Sequence, residues 1–196
     1  MGHLRLDTID GVNALIAKHR AAEGVATVGI STFNTVRWRP RPMEDVRSIA
    51  PFTAFDYMPA GGTALHDSMA TSIDELGATL ASKVEWARPS KVIFVVITDG
   101  EENASRFTAQ EDVKRRVEHQ AQRYGWDFVF LGANMDAFAQ ADALGIAAHA
   151  TANYFASAAG VGAGYETIAS STLRSRSTGL NTSFDAGERA TLNNTK

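Results

Sequence analysis

Apolar positions along this chain follow two rhythms. Ile9, Val12, Leu15, Ile16 and His19 fall three and four residues apart, which puts them on one face of a helix that Gly24 closes. The β-branched run VATVGISTF at 25–33, a turn, and VRWRP at 36–40 predict a hairpin whose second strand ends at Pro40 and lies at a sheet edge. Pro42, Pro51 and Pro59 punctuate an irregular stretch over 41–60 that leads into Gly61 and Gly62. Leu65, Met69, Ile73, Leu76 and Leu80 then mark the clearest helix of the chain.

A continuous apolar run at 92–97 predicts a buried strand, and TAQE at 108–111 has the form of a capping box opening a helix through Tyr124, with Val113, Val117 and Ala121 inward. DFVFLGAN at 127–134 reads as another buried strand, 136–145 as a short helix stopped by Gly145, and AHATANYF at 148–155 as the last strand. Tyr165, Ile168 and Leu173 indicate a final helix, after which Ser, Thr, Asn and Gly dominate. The expected organisation is one domain over 1–176 and a flexible polar tail over 177–196. Strands alternating with helices, and showing little polar alternation themselves, predict an α/β fold with a mainly parallel sheet covered by helices on both faces.

Composition narrows the function classes. The 196 residues are 44% hydrophobic, enough for one core, and a net charge of −3 gives no global attraction to nucleic acid or anionic membrane. No cysteine is present, which removes disulfides and thiolate metal sites and fits a reducing, cytoplasmic setting. The longest apolar stretch is far shorter than a membrane span of roughly 20 residues, and Leu6 stands where a myristoylation signal needs Ser or Thr.

In parallel sheets ligands gather at the carboxyl ends of strands. Asp99 and Gly100 follow the 92–97 strand directly, and Thr63 follows Gly61 and Gly62 at the head of the strongest helix. Each has a plain alternative: Asp99 as a turn residue, Thr63 as a helix cap, and Glu101 and Glu102 as solvated turn acids.

Together, PAGGTALHDS at 59–68 and VVITDGEEN at 95–103 resemble the von Willebrand factor A domain family. That resemblance spans the order of elements from the first helix to about residue 176. It implies a three-layer α/β/α Rossmann-like sandwich with one antiparallel edge strand. It also implies a metal-ion-dependent adhesion site for Mg²⁺, with Thr63 and Asp99 as ligands and Gly61, Gly62 and Gly100 shaping the loops. Such a domain binds another protein through an acidic side chain that completes the metal shell, and it is not an enzyme. A hard divalent ion suits oxygen ligands and retained water.

The family's D-x-S-x-S motif and its first strand have no counterpart ahead of the first helix. One expectation is that Met1 belongs to a motif of the form D-x-S-G-S-M in a longer protein. The other is a chain in which neighbouring strands close the gap. This chain keeps one carboxylate and one hydroxyl of the site, so the metal is expected to be weakly held or absent in it, whereas with the motif upstream Mg²⁺ would bridge this surface to an acidic side chain of the partner. Two further function classes stay open: a metal-dependent phosphoryl-handling enzyme using Asp99, Glu101 and Glu102, and a structural domain with a dead site.

Other signals carry less. GVGAG at 160–164 lacks the third glycine of a dinucleotide loop and follows the last strand. RWRPRP at 37–42 suits an edge hairpin better than a nucleic-acid contact. The five histidines show no paired ligand spacing, His66 reads as a first-turn surface residue, and Asp67 as an acid at a helix N-terminus.

Overall fold

The computed structural model describes residues 2–195, with only the backbone of 37–39. The expectation about Met1 therefore lies outside the described residues, as do the side chains at the start of RWRPRP. The elements run α1 (Arg5–Ala21), β1 (Thr27–Phe33), β2 (Arg37–Asp45), α2 (Leu65–Ala81), β3 (Ile93–Thr98), α3 (Gln110–Tyr124), β4 (Asp127–Gly132), α4 (Ala137–Ala143), β5 (Thr151–Asn153), α5 (Ala158–Thr178) and α6 (Ala186–Asn193). The fold is mixed α/β.

The strands form two sheets where one was expected. β1 and β2 make an antiparallel pair, and β3, β4 and β5 a parallel sheet with β4 in the middle. No ladder joins β1 to β3, so β3 is an edge of its sheet. Burial follows from this: every residue of β4 is buried, whereas Ile93, Phe94, Val95 and Ile97 of β3 are only partly so. The 92–97 run is as apolar as a central strand but has a neighbour on one side only.

Alternate residues of β3 and β4 feed different cores, the period-two consequence of the pleat. Phe94, Val96, Phe128 and Phe130 pack with Leu65, Met69 and Ile73 of α2, Val113 and Val117 of α3, and Ala137 and Ala141 of α4. Ile93, Val95, Val129 and Leu131 pack with Val12 and Leu15 of α1 and Val161, Tyr165 and Ile168 of α5. A smaller cluster of Ile9, Phe52 and Tyr57 meets Ile30 of β1, and Val12 touches it as well. At Gly11 the crossing of α1 over α5 leaves no room for a side chain, because an added Cβ would come within 2.2 Å of the Tyr165 ring.

Several boundaries depart from the sequence reading. β2 continues past Pro40 and Pro42 to Asp45, since the register shifts against β1 absorb positions that donate no hydrogen bond. Thr108 does not cap α3. Ala109 occupies that place without a side-chain cap, and the Thr108 amide is held by Asp67 instead. The glycines of GVGAG lie inside α5, where Gly160 lets the helix start against the Phe155 carbonyl.

The stretch expected as a flexible tail over 177–196 packs through a few of its side chains. Thr182, Phe184 and Leu192 are buried, and α6 opens with a true capping box between Asp185 and Glu188. Buried Asp127 accepts from the Thr182 amide at 2.7 Å and its hydroxyl at 2.9 Å, and pairs with Lys91 at 2.9 Å. A polar composition concealed a few well-placed anchors.

His19 ties α1 to α5. Arg176 can only donate, so the His19 Nδ1 it meets at 2.7 Å is an acceptor, and the proton sits on Nε2, 2.9 Å from Thr172 Oγ1. Burial, with help from the Arg176 charge, lowers the imidazole from 6.5 to about 4. The unfolded chain therefore binds the extra proton first, and stability is lost as pH falls from 6.5 to 4. After a discount for partial solvent screening we expect a loss of about 1–2 kcal/mol. Urea unfolding midpoints at neutral and mildly acidic pH should show this drop, and His19→Gln should flatten it.

Candidate functional site

The carboxyl ends of β1 and β3 open onto one face through their following loops. The Asn34 carbonyl accepts from the Ala64 amide at 2.7 Å, and the Thr63 carbonyl accepts from the Asn103 amide at 3.1 Å. Thr63 thus lies between the two strand ends. An added Cβ on Gly100 would sit 3.2 Å from Thr63 Oγ1, so the Thr63 hydroxyl adjoins the Asp99–Gly100 turn. The two residues singled out in the sequence are brought to one place, and both are partly exposed. Asn134 donates to the Asp99 carbonyl at 3.3 Å, tying this turn to the loop after β4.

The glycines have distinct reasons. Gly61 adopts φ 75°, and a side chain there would collide with the Thr35 hydroxyl. A Cβ at Gly62 would come within 2.6 Å of Asn103 Oδ1, the atom that accepts from the Thr63 amide at 2.8 Å. Thr63 is not a cap: Ala64 takes that position and supplies no side-chain bond.

The first turn of α2 is capped from the opposite loop. Glu102 Oε2 accepts from the His66 amide at 2.8 Å and from Ser105 Oγ at 2.7 Å, while Oε1 accepts from the Ala104 and Ser105 amides at 2.8 and 2.7 Å. Glu102 is therefore not a solvated turn acid. Burial opposes its ionisation, but these donors outweigh burial and hold the carboxyl below its usual range. Asp67 reaches back across the same gap, accepting from Arg106, Phe107 and Thr108 amides at 2.8, 3.1 and 2.8 Å. Its net shift is also downward, the three amides overcoming the cost of burial.

His66, expected at the surface, is 8% exposed. Burial lowers its pKa, with Glu102 and Asp67 pulling the other way, and Nε2 has no partner among the described residues. Two tyrosines that the sequence did not flag lie close enough to Asp99 to feel its charge. Burial first, and then Asp99, raises Tyr57 to about 12 and raises Tyr154 as well. The Tyr154 hydroxyl is buried without a partner among the described residues. No local spacing foretells these neighbours, because Tyr57 and Tyr154 reach the site from separate loops.

Comparison with known proteins gives no matching family model and no matching curated protein. The chemistry of the site must be argued from its own residues. Among those described, no three His, Cys, Asp or Glu side chains gather as a metal-binding group. Thr63 brings a hydroxyl, a hard oxygen donor, against the turn that carries the Asp99 carboxylate. Such a pair suits a hydrated cation held weakly, and not one stripped of its water.

Proposed function

We propose that this chain is a protein-binding module of von Willebrand factor A type, in which Thr63 and Asp99 offer a weak site for Mg²⁺ or a similar divalent ion. The observation that carries the reading is the Thr63 hydroxyl lying against the Asp99–Gly100 turn at the carboxyl edge of the strands. The ion, when bound, supplies a positive centre that an acidic side chain of the partner completes. Thr63 and Asp99 would hold it, and Gly61, Gly62 and Gly100 keep the loops close enough to do so.

The finer architecture belongs to the same proposal: a three-layer α/β/α sandwich in which both sheets are halves of one layer. Val12 supports this by touching both the cluster over β3 and the cluster over β1. No described helix is long and apolar enough to cross a membrane, and a cytoplasmic setting is part of the reading. The phosphoryl-handling alternative gains nothing from the site, since Glu102, one of its three acids, is engaged in the hydrogen bonds that cap α2.

Thermal unfolding in millimolar Mg²⁺ and in EDTA tests the metal half. We expect a rise of about 1–3 °C with Mg²⁺, abolished by Asp99→Ala and reduced by Thr63→Ala. Identical melting in Mg²⁺ and EDTA would sink the metal half, and phosphate-ester turnover lost in Asp99→Ala would replace binding with catalysis.

A further inference from the structure

Beside the Thr63–Asp99 pair lies a concavity of about 390 Å³ lined by Thr35, Gly62, Asn103, Ala104, Ser105 and Arg106. Its polar walls are mostly engaged already. Thr35 Oγ1 accepts from the Gly62 amide at 2.9 Å, Asn103 Oδ1 from Thr63, and Glu102 from Ala104 and Ser105. Arg106 is the one charged residue in the lining, it is exposed, and its guanidinium makes no hydrogen bond or ion pair among the described residues. What the concavity still offers is a cation.

Exposed apolar residues adjoin its lining residues along the chain. Phe107, next to Arg106, is 91% exposed. On the Thr35 side Val36 and Met58 are 58% and 51% exposed, and Asn34 fixes both by accepting from the Val36 amide and donating to the Met58 carbonyl. These exposed side chains stand on rigid supports, because Asp67 holds three successive amides of the 106–108 segment and Glu102 holds the segment before it. An aromatic side chain and an arginine presented on an ordered loop are the residue types that dominate interfaces, and ordering them in advance lowers the entropic cost of binding.

We infer that this concavity is a second, metal-independent contact point, taking an Asp or Glu side chain of a partner directly on Arg106 while that partner's neighbouring apolar residues cover Phe107, Val36 and Met58. The inference rests on the protein-binding reading of this face and adds the partner's chemistry: an acidic residue flanked by apolar ones. Guanidinium and carboxylate pair through two parallel hydrogen bonds, which gives direction as well as charge.

The test is an amide NMR titration of the full chain in EDTA with the blocked tripeptide Ac-Leu-Glu-Phe-NH2 and its Gln counterpart. Expected are shifts at Gly62 and residues 103–107 that saturate in the millimolar range, with at least about tenfold weaker binding for the Gln peptide and for Arg106→Gln. Phe107→Ala should weaken binding as well. Arg106→Gln leaves a folded control, since the guanidinium it removes makes no hydrogen bond or ion pair among the described residues, and its spectrum away from the loop should be unchanged. No shifts at about 10 mM peptide, or equal shifts for the Glu and Gln peptides, would overturn the inference. Shifts that require Mg²⁺ would overturn it too while leaving the metal-assisted function standing. Shifts in EDTA from a chain whose melting ignores Mg²⁺ would do the reverse.

Discussion

Asp127→Ala is expected to destabilise the fold by about 3–5 kcal/mol, the range for a buried charge pair that loses one member. Asp127 opens β4 and is 8% exposed, and its carboxylate is the common acceptor for Lys91 and for both the amide and hydroxyl of Thr182. Removing it leaves the Lys91 ammonium, only 17% exposed, beside an empty place. It also cuts the first anchor of the segment that carries Phe184 and Leu192 into the core beside α5. Chemical denaturation should record the loss of stability. Hydrogen exchange should record a second effect, faster exchange in residues 180–193 than in β4. Exchange in that segment as fast in the parent as in the variant would mean the anchors do not hold it.

The second large effect is expected at Asp67. Asp67→Ala strips the 106–108 segment of the acceptor for three consecutive amides. Some of those amides rehydrate, so the global cost is held to about 1–3 kcal/mol, but the loop itself loses its shape. Binding that depends on Arg106 and Phe107 should then fall more than stability does. The pH dependence has a definite sign. A carboxylate whose folded pKa lies below its unfolded value of 3.8 contributes above that value and loses its contribution as pH falls through the folded pKa. Parent and variant should therefore converge in loop exchange only once the pH has fallen through that folded pKa, below 3.8. A variant whose 103–108 amides keep their parental chemical shifts at neutral pH would show that Asp67 is dispensable.

Much of the element order was legible because the signals were local. The three- and four-residue spacing from Leu65 to Leu80 and the uninterrupted run in β4 both became the predicted elements, and Asp136 caps α4 by accepting from Phe138 and Ala139 amides. The misses came where a residue's partner lies far along the chain. Thr108 and Glu111 have the spacing of a capping box, yet Asp67, some forty residues earlier, holds the Thr108 amide. Residues 179–195 read as a tail because their apolar content is low, and nothing nearby reveals that Asp127 holds Thr182. At the candidate site, the motif singles out Thr63 and Asp99, whereas Glu102 and Asp67 read as ordinary turn and dipole residues. Their actual work is to lace two loops together, which requires knowing that the loops face each other.

The division of the strands into two sheets bears on how the chain behaves in a crowded solution. Between Val92 and Thr98 there is neither charge nor proline, so β3 lacks the usual devices by which an edge repels a second molecule. Its apolar side chains are sheltered above and below by helices, but its flank toward β1 carries no ladder. Thermal breathing of α1 or α2 would bare a strand that accepts any extended apolar partner of similar length, including a stray copy of itself. Aggregation is therefore expected to follow local opening at this flank and to set in before the domain as a whole unfolds.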